Sequence, residues 1–300
     1  MRISRLIRII GGAIALLILI ILLKDQYSSI LLRNANYGIP ALVNKGSVDN
    51  LFLGSSMFRQ GLDIDVLNEG SEDSYILSYN GNQPYLEYLI LDKLLKEGVK
   101  IKNLYVDMYA YSMCALPSLS DEKLLLELNL SDKWQIYKMI SDDEPIKTFY
   151  QMFVSANNEM LLSWPVSFPV INGTFKNGGT LSETTGATKE VLGEMGIPVI
   201  GDGVQEIQGE YTKKIIDLCT QNDINIFFLE TPKYYVVMQD ADYETVMNDY
   251  TSIINEDAAI LRFGTQADVD VNRSDYFIDL LHLSSEGRRV FTKTITVVGN

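Results

Sequence analysis

The chain has 300 residues, with 25 Lys and Arg against 39 Asp and Glu, for a formal net charge of −14 at neutral pH. Taking the four cations of the first 24 residues out of that total leaves −18 on the rest, so no nucleic-acid partner is expected, because such affinity comes mainly from Lys and Arg neutralising phosphates. A single histidine, with no CxxC pair or His-rich cluster, excludes a multi-histidine metal site and argues against structural zinc; neither metal nor cofactor is expected.

Arg2, Arg5 and Arg8 lead into Ile9 to Leu23, an unbroken run of apolar residues and two glycines that ends at Lys24. Counted from Leu6 the stretch is 18 residues long, near the lower limit of roughly 17 to 25 for a membrane-spanning helix. The basic start and short run also fit a cleavable signal peptide. Lys24-Asp25-Gln26-Tyr27 contains no small-x-small cleavage site, however, which favours a retained signal anchor. By the positive-inside rule the N-terminus is then cytoplasmic and residues 25 onward lie outside, as in a single-pass cell-membrane protein.

Residues 25–46 read as a juxtamembrane segment, partly helical, ending in the turn-like Tyr37-Gly38-Ile39-Pro40, and the folded domain is expected over 47–300. Asn50-Leu51-Phe52-Leu53-Gly54 is a short apolar run that stops at Gly54-Ser55-Ser56, as a buried parallel strand does where it meets a loop and a helix. Tyr75–Tyr79 is a second strand, ended by Asn80-Gly81-Asn82. Leu86, Leu89, Ile90 and Leu94 recur at helical spacing after Pro84, with Gly98 as the stop, and 103–108 supplies a third strand. Further on, Tyr211–Cys219 reads as a helix, 224–229 as a fourth strand, 241–254 as a helix and 258–263 as a fifth strand; Ser284 can cap a final helix. Strand and helix alternate, which predicts an α/β fold with a parallel sheet of about five strands covered on both faces.

Residues 115–205 interrupt this alternation. A Leu-rich helical part (Lys123–Met139, then Ile146–Met160) is followed by Gly- and Thr-rich sequence from Asn172 to Gly209. The stretch reads either as a cap over the carboxyl end of the sheet or as an irregular subdomain with a packing role. Cys114 and Cys219 both sit in apolar contexts; they could pair outside the cytoplasm or remain two buried thiols.

Ligands in an open parallel sheet bind outside the carboxyl ends of the strands, where Gly54-Ser55-Ser56 and Asn80-Gly81-Asn82 fall. The lone histidine stands in Asp279-Leu280-Leu281-His282-Leu283-Ser284-Ser285-Glu286-Gly287. An Asp three residues before a His can fix its tautomer and stabilise the imidazolium, as the base partner of a serine nucleophile requires. A Gly-Ser-Ser turn is also an ordinary helix N-cap.

Gly54-Ser55-Ser56, the Gly81 turn and Asp279-x-x-His282-Leu283-x-x-x-Gly287, in that order, resemble the SGNH or GDSL-like hydrolase superfamily. The resemblance covers most of 47–298 and implies a three-layer, flavodoxin-like sheet with the insertion as extra material. It implies Ser56 as nucleophile, His282 as general base, Asp279 as orienting acid and Gly81 as an oxyanion donor. Ser55 replaces the usual Asp before the nucleophile, as in the membrane-anchored branch resembling the D-alanyl transfer protein of lipoteichoic acid synthesis. After the third strand the superfamily has Gly-x-Asn, whose Asn donates to the oxyanion. Here the chain reads Asp107-Met108-Tyr109-Ala110-Tyr111, and an ionised Asp107 cannot donate, so Asn80 or Asn82 would have to substitute.

The resemblance implies a membrane-anchored extracytoplasmic serine esterase or O-acyltransferase working on acylated cell-envelope polymer, such as teichoic acid or polysaccharide, or on a small acyl ester. A polytopic membrane O-acyltransferase is the implied partner. The alternative is a non-catalytic accessory protein of such a system: the altered block at Asp107 points that way, and the intact Ser56, Asp279 and His282 point against it.

Overall fold

The computed structural model describes residues 2–33, 35, 37–69, 72–141, 143–162, 183–201, 203–254, 258–262 and 269–298. The chain forms two compact units, one of Met1–Ala35 with Glu122–Pro169 and one of Asn36–Asp121 with Val170–Asn300.

The larger unit is built on five parallel strands in the order β2-β1-β3-β4-β5: β1 (Ser47–Gly54), β2 (Ser74–Ser78), β3 (Lys100–Asp107), β4 (Asn225–Glu230) and β5 (Ala259–Arg262). Leu51, Phe52 and Leu53 of the inner strand β1 are buried, and so is every residue of the edge strand β2, as expected of a parallel sheet with helices on both faces. Phe52, Tyr105 and Phe227 stack across β1, β3 and β4, with ring centroids 4.4 and 4.8 Å apart.

The chain leaves β1 through α3 (Ser56–Gly61) and α4 (Ile64–Leu67) and returns to β3 through α5 (Pro84–Lys96), which starts on Pro84 and is followed by Gly98 at φ +83°. The first crossover moves away from β3 and the second towards it. Right-handed connections therefore place α3 and α4 on one face and α5 on the other. The helix neighbours agree: the helix Ser285–Val298 lies against α3 and α4, while α5 lies against Glu206–Gln221, which also meets Ala241–Ile253. The result is the three-layer arrangement expected from the sequence.

The predicted turn at Tyr37–Pro40 is instead the start of a helix, α2 (Gly38–Lys45), whose Ile39 and Leu42 are buried and which packs on α5, β1 and β2. Pro40 falls in its first turn, where a missing N–H costs no intrahelical bond. Gly46, at φ +76°, closes it with an N–H to Leu42 O. Cys114 and Cys219 are both buried and free.

In the smaller unit, α1 (Arg2–Leu32) runs well past the apolar segment, and over Arg5–Leu32 it is long and apolar enough to cross a membrane. Short helices follow at Leu124–Glu127, Leu130–Ile140, Pro145–Phe149 and Asn158–Leu162, with a π-helical turn at Tyr150–Ser155. The predicted Gly- and Thr-rich stretch Asn172–Gly209 lies in part, over 172–182 and at 202, outside the described residues.

Leu104 sits fully buried in β3, the third of five strands. Leu104→Ala should lower the unfolding free energy by about 2–5 kcal/mol, read from the shift in denaturant midpoint at unchanged slope.

Candidate active site

β1 ends at Gly54 and β3 at Asp107, on adjacent strands. The connections leaving these two ends go to opposite faces, and the crevice between them is where an open parallel sheet takes its ligand. A Cβ on Gly54 would stand 2.4 Å from Asp107 Cβ, so only glycine lets the two strand ends close up. Asp107 then reaches over the turn: its Oδ2 accepts the Ser55 N–H at 3.2 Å and a short bond from Ser55 Oγ–H. Ser55 Oγ also accepts the Met57 N–H at 3.2 Å, capping α3. The two serines divide their roles. Ser55 is the buried cap, and Ser56, first residue of α3, presents its Oγ 2.9 Å from His282 Nε2.

His282 is held by a small loop in front of the last helix. Phe277 and Leu283 form an antiparallel bridge, Ile278 N–H donates to His282 O at 2.9 Å, and Ser284 N–H donates to Tyr276 O at 2.8 Å. Asp279 Oδ1 accepts the N–H groups of Leu281 and His282, both at 2.8 Å, while Oδ2 lies 2.8 Å from His282 Nδ1. A carboxylate at Nδ1 selects the tautomer with its proton there, leaving the Nε2 lone pair towards Ser56 Oγ–H. Gly287 completes the loop, because a Cβ there would stand 2.2 Å from Tyr276 O. The spacing Asp279-x-x-His282-Leu283-x-x-x-Gly287 thus has a physical reason at each fixed position.

The charges differ in character. Burial works against ionisation of Asp279, but the His282 hydrogen bond and charge and the two N–H donors prevail and hold its carboxyl below the usual range. Asp107 goes the other way: burial raises its carboxyl to about 6, partly offset by the Ser55 hydroxyl, the Lys233 charge and the Ser55 N–H. Lys233, also fully buried, donates to Thr231 O at 2.8 Å; burial lowers its ammonium, and the charges of Glu230 and Asp107 oppose that. Burial and the Asp107 charge raise the Glu87 carboxyl well above its usual range.

Of the three residues expected from the second loop to serve the oxyanion, Gly81 is at φ +60°, with Ser120 Oγ 2.6 Å from where its Cβ would be. Among the described residues nothing accepts the Gly81 N–H. Asn82 is buried, and its amide donates to Gly54 O at 3.3 Å, behind the serine turn. Asn80 is exposed; its Oδ1 accepts from Arg59 at 3.1 Å and its N–H donates to Asp121 Oδ2 at 3.1 Å. The Asn82 amide is thus directed to the Gly54 carbonyl, while Asn80 braces the loop through its carbonyl oxygen and main-chain N–H.

Sequence reasoning gave Asp107 a different part and passed over Arg59. Asp107 entered as a lost donor and is in fact the acceptor that fixes the serine turn. Arg59, one turn after Ser56 on α3, is buried and donates to Ser78 O and Ser78 Oγ as well as to Asn80, tying the serine's helix to the Gly81 loop. The signal available was a charged residue set among apolar ones, in Met57-Phe58-Arg59 and again in Lys233 just after β4.

No family model matches the sequence, and no curated protein does. Among solved structures the chain is similar to one from Streptococcus pneumoniae provisionally named a platelet activating factor, at 12% identity over 96% of this chain and 98% of that one, with a TM-score of 0.43. It is also similar to a GDSL-like lipase from Bacteroides thetaiotaomicron (8% identity, 85% and 88% of the chains, TM-score 0.37). A third is a protein from Bacteroides fragilis provisionally named an acylhydrolase (9%, 85% and 86%, TM-score 0.37). At such identities and TM-scores the likeness assigns neither family nor activity.

A buried carboxyl with a raised pKa keeps its proton in the folded state after the unfolded chain has lost it. Stability from Asp107 is therefore greatest below about pH 4 and declines as pH rises to about 6. Against Asp107→Asn, the wild type should lose about 3 kcal/mol across that window, followed by urea unfolding at each pH. Parallel curves for the two proteins would show that Asp107 is not held neutral by burial.

Proposed function

We propose that this chain is a membrane-anchored, extracytoplasmic serine esterase or acyltransferase of the SGNH or GDSL-like superfamily, in the branch resembling the D-alanyl transfer protein. The observation that carries the proposal is the unbroken hydrogen-bonded line from Ser56 Oγ through His282 to Asp279. Each link has the polarity acyl transfer needs: an alcohol facing a free imidazole nitrogen, and an ionised carboxylate at the protonated one.

In the reaction His282 Nε2 takes the Ser56 proton as Oγ attacks the acyl carbonyl. The imidazolium then passes that proton to the leaving oxygen as the tetrahedral intermediate collapses to an acyl-serine. Water or a sugar hydroxyl, deprotonated by His282, releases the acyl group by the same route in reverse. The oxyanion is served by the Ser56 N–H, which at the start of α3 has no intrahelical acceptor, and by the Gly81 N–H. Each well-placed donor contributes roughly 3 to 4 kcal/mol to the transition state. Asp107 acts a step removed, by fixing Ser55 and so the direction of the Ser56 hydroxyl.

The substrate class follows from the resemblance and the anchor: acyl esters of cell-envelope glycopolymers, teichoic acid or polysaccharide, presented outside the cytoplasmic membrane, beside a polytopic membrane O-acyltransferase as partner. Small esters should react too, since the Asp279 and His282 side chains are both partly solvent-exposed.

A fluorophosphonate probe should label the wild type once per chain, at Ser56, and Ser56→Ala should abolish labelling; undiminished labelling of that variant removes the assignment, and p-nitrophenyl acetate activity unchanged in Ser56→Ala and His282→Ala favours the accessory reading. Asp279→Asn should still be labelled, but its kcat/KM for p-nitrophenyl acetate should fall by about 100-fold or more, through loss of the tautomer and of imidazolium stabilisation.

A further inference from the structure

The smaller unit offers an apolar surface that the chemistry of Ser56 does not use. Ile21, Lys24, Asp25 and Ser28, one stripe of α1, line a small cavity together with Leu125 and Met152. Lys24 Nζ donates to Val154 O at 3.1 Å and also to Ala156 O, and Asp25 Oδ1 pairs with Lys133 Nζ at 2.8 Å. The first charges after the apolar run are thus satisfied by residues 133–156, which fastens that segment to α1 where the apolar run ends. At about 1.5 Å of rise per residue, Ile21 to Ser28 covers roughly 10 Å of helix, enough to cross one headgroup layer of roughly 5 to 7 Å.

The segment so fastened also presents aromatic and apolar side chains to solvent. Trp134, Tyr137, Phe149 and Phe153 form a stacked cluster between the helices Leu130–Ile140 and Pro145–Phe149 and the π-turn, and from its rim Trp134 is 43% exposed. Ile146 and Tyr150, one helical turn apart, are 85% and 57% exposed, and Leu162 is 86% exposed. No residue of the helix Pro145–Phe149 is buried. Such a face is costly in water and suited to the membrane–water boundary, where tryptophan and tyrosine collect.

We infer that residues 122–162 form an interfacial foot, lying in the headgroup region of the bilayer that α1 crosses, with Trp134, Ile146 and Tyr150 in contact with lipid. This rests on α1 being a retained anchor. The foot would fix the depth of the smaller unit in the interface, which a single helix alone would not do.

The test uses the full chain carrying Trp164→Phe, which leaves Trp134 as the sole tryptophan, reconstituted in phosphatidylcholine vesicles. Vesicles made with lipid brominated near the headgroup end of the acyl chains should take away about half of the Trp134 emission relative to unbrominated vesicles, and aqueous iodide should quench it little. Ile146→Ser with Tyr150→Ser should reduce the bromolipid quenching while the chain still floats with the vesicles. Strong iodide quenching without bromolipid quenching, or quenching by neither, overturns the foot. Flotation tests the anchor separately: a chain that fails to float loses both anchor and foot, whereas a floating chain with iodide-quenched Trp134 loses the foot alone.

Discussion

The grip of Asp107 on Ser55 is the contact on which the site depends. It joins the ends of two neighbouring strands at the place where the sheet changes direction, and it requires glycine at position 54. With the Ser55 N–H and hydroxyl both committed to one carboxylate, the next residue enters α3 in a defined orientation, and that residue is Ser56. The carboxylate lies in a buried setting that favours its neutral form, and Lys233 and the Ser55 donors offset part of that cost. The polarity of the site therefore extends beneath the sheet edge, through Asp107 to Lys233 and Glu230.

The histidine is delivered by a different device. Its loop is short, closed by a single antiparallel bridge and by Asp279 binding two main-chain N–H groups as well as the imidazole. Because the same carboxylate shapes the loop and orients the ring, local backbone geometry and proton chemistry are coupled at one residue. Gly287 lets the last helix seat directly on the Tyr276 carbonyl, and that helix packs on α3, so Ser56 and His282 are borne by elements in mutual contact. An arrangement of this kind loses little entropy on reaching the transition state, since both partners are already placed.

Much of this was legible in the sequence because it is local. Four of the five strands end at or shortly before Gly, Asn or Pro, β3 being the exception at Asp107-Met108-Tyr109, and the helices between them carry apolar residues at helical spacing. Asp279, His282, Leu283 and Gly287 fall within nine residues whose spacing expresses one loop. What the sequence concealed are contacts between distant segments. Asp107 lies 52 residues from Ser55, and nothing in Asp107-Met108-Tyr109 distinguishes an acceptor for the serine turn from a lost oxyanion donor. Asn82 has the right chemistry for a donor, yet its amide meets the Gly54 carbonyl, a choice made by the packing of the second loop on the first. The segment 38–45 reads as linker because it is short and begins with Gly and Pro; it becomes a helix because Ile39 and Leu42 find a buried surface on the sheet unit.

The central claim is that Ser56 becomes covalently acylated with His282 as its base. The most direct measurement is intact mass after brief exposure to p-nitrophenyl acetate and an acid quench, with peptide mapping of any adduct. A single acetyl group on Ser56, absent from Ser56→Ala and much slower to form in His282→Ala, is the predicted result. An unmodified wild-type chain that nonetheless turns over the ester, or an adduct that persists when Ser56 is replaced, would contradict it.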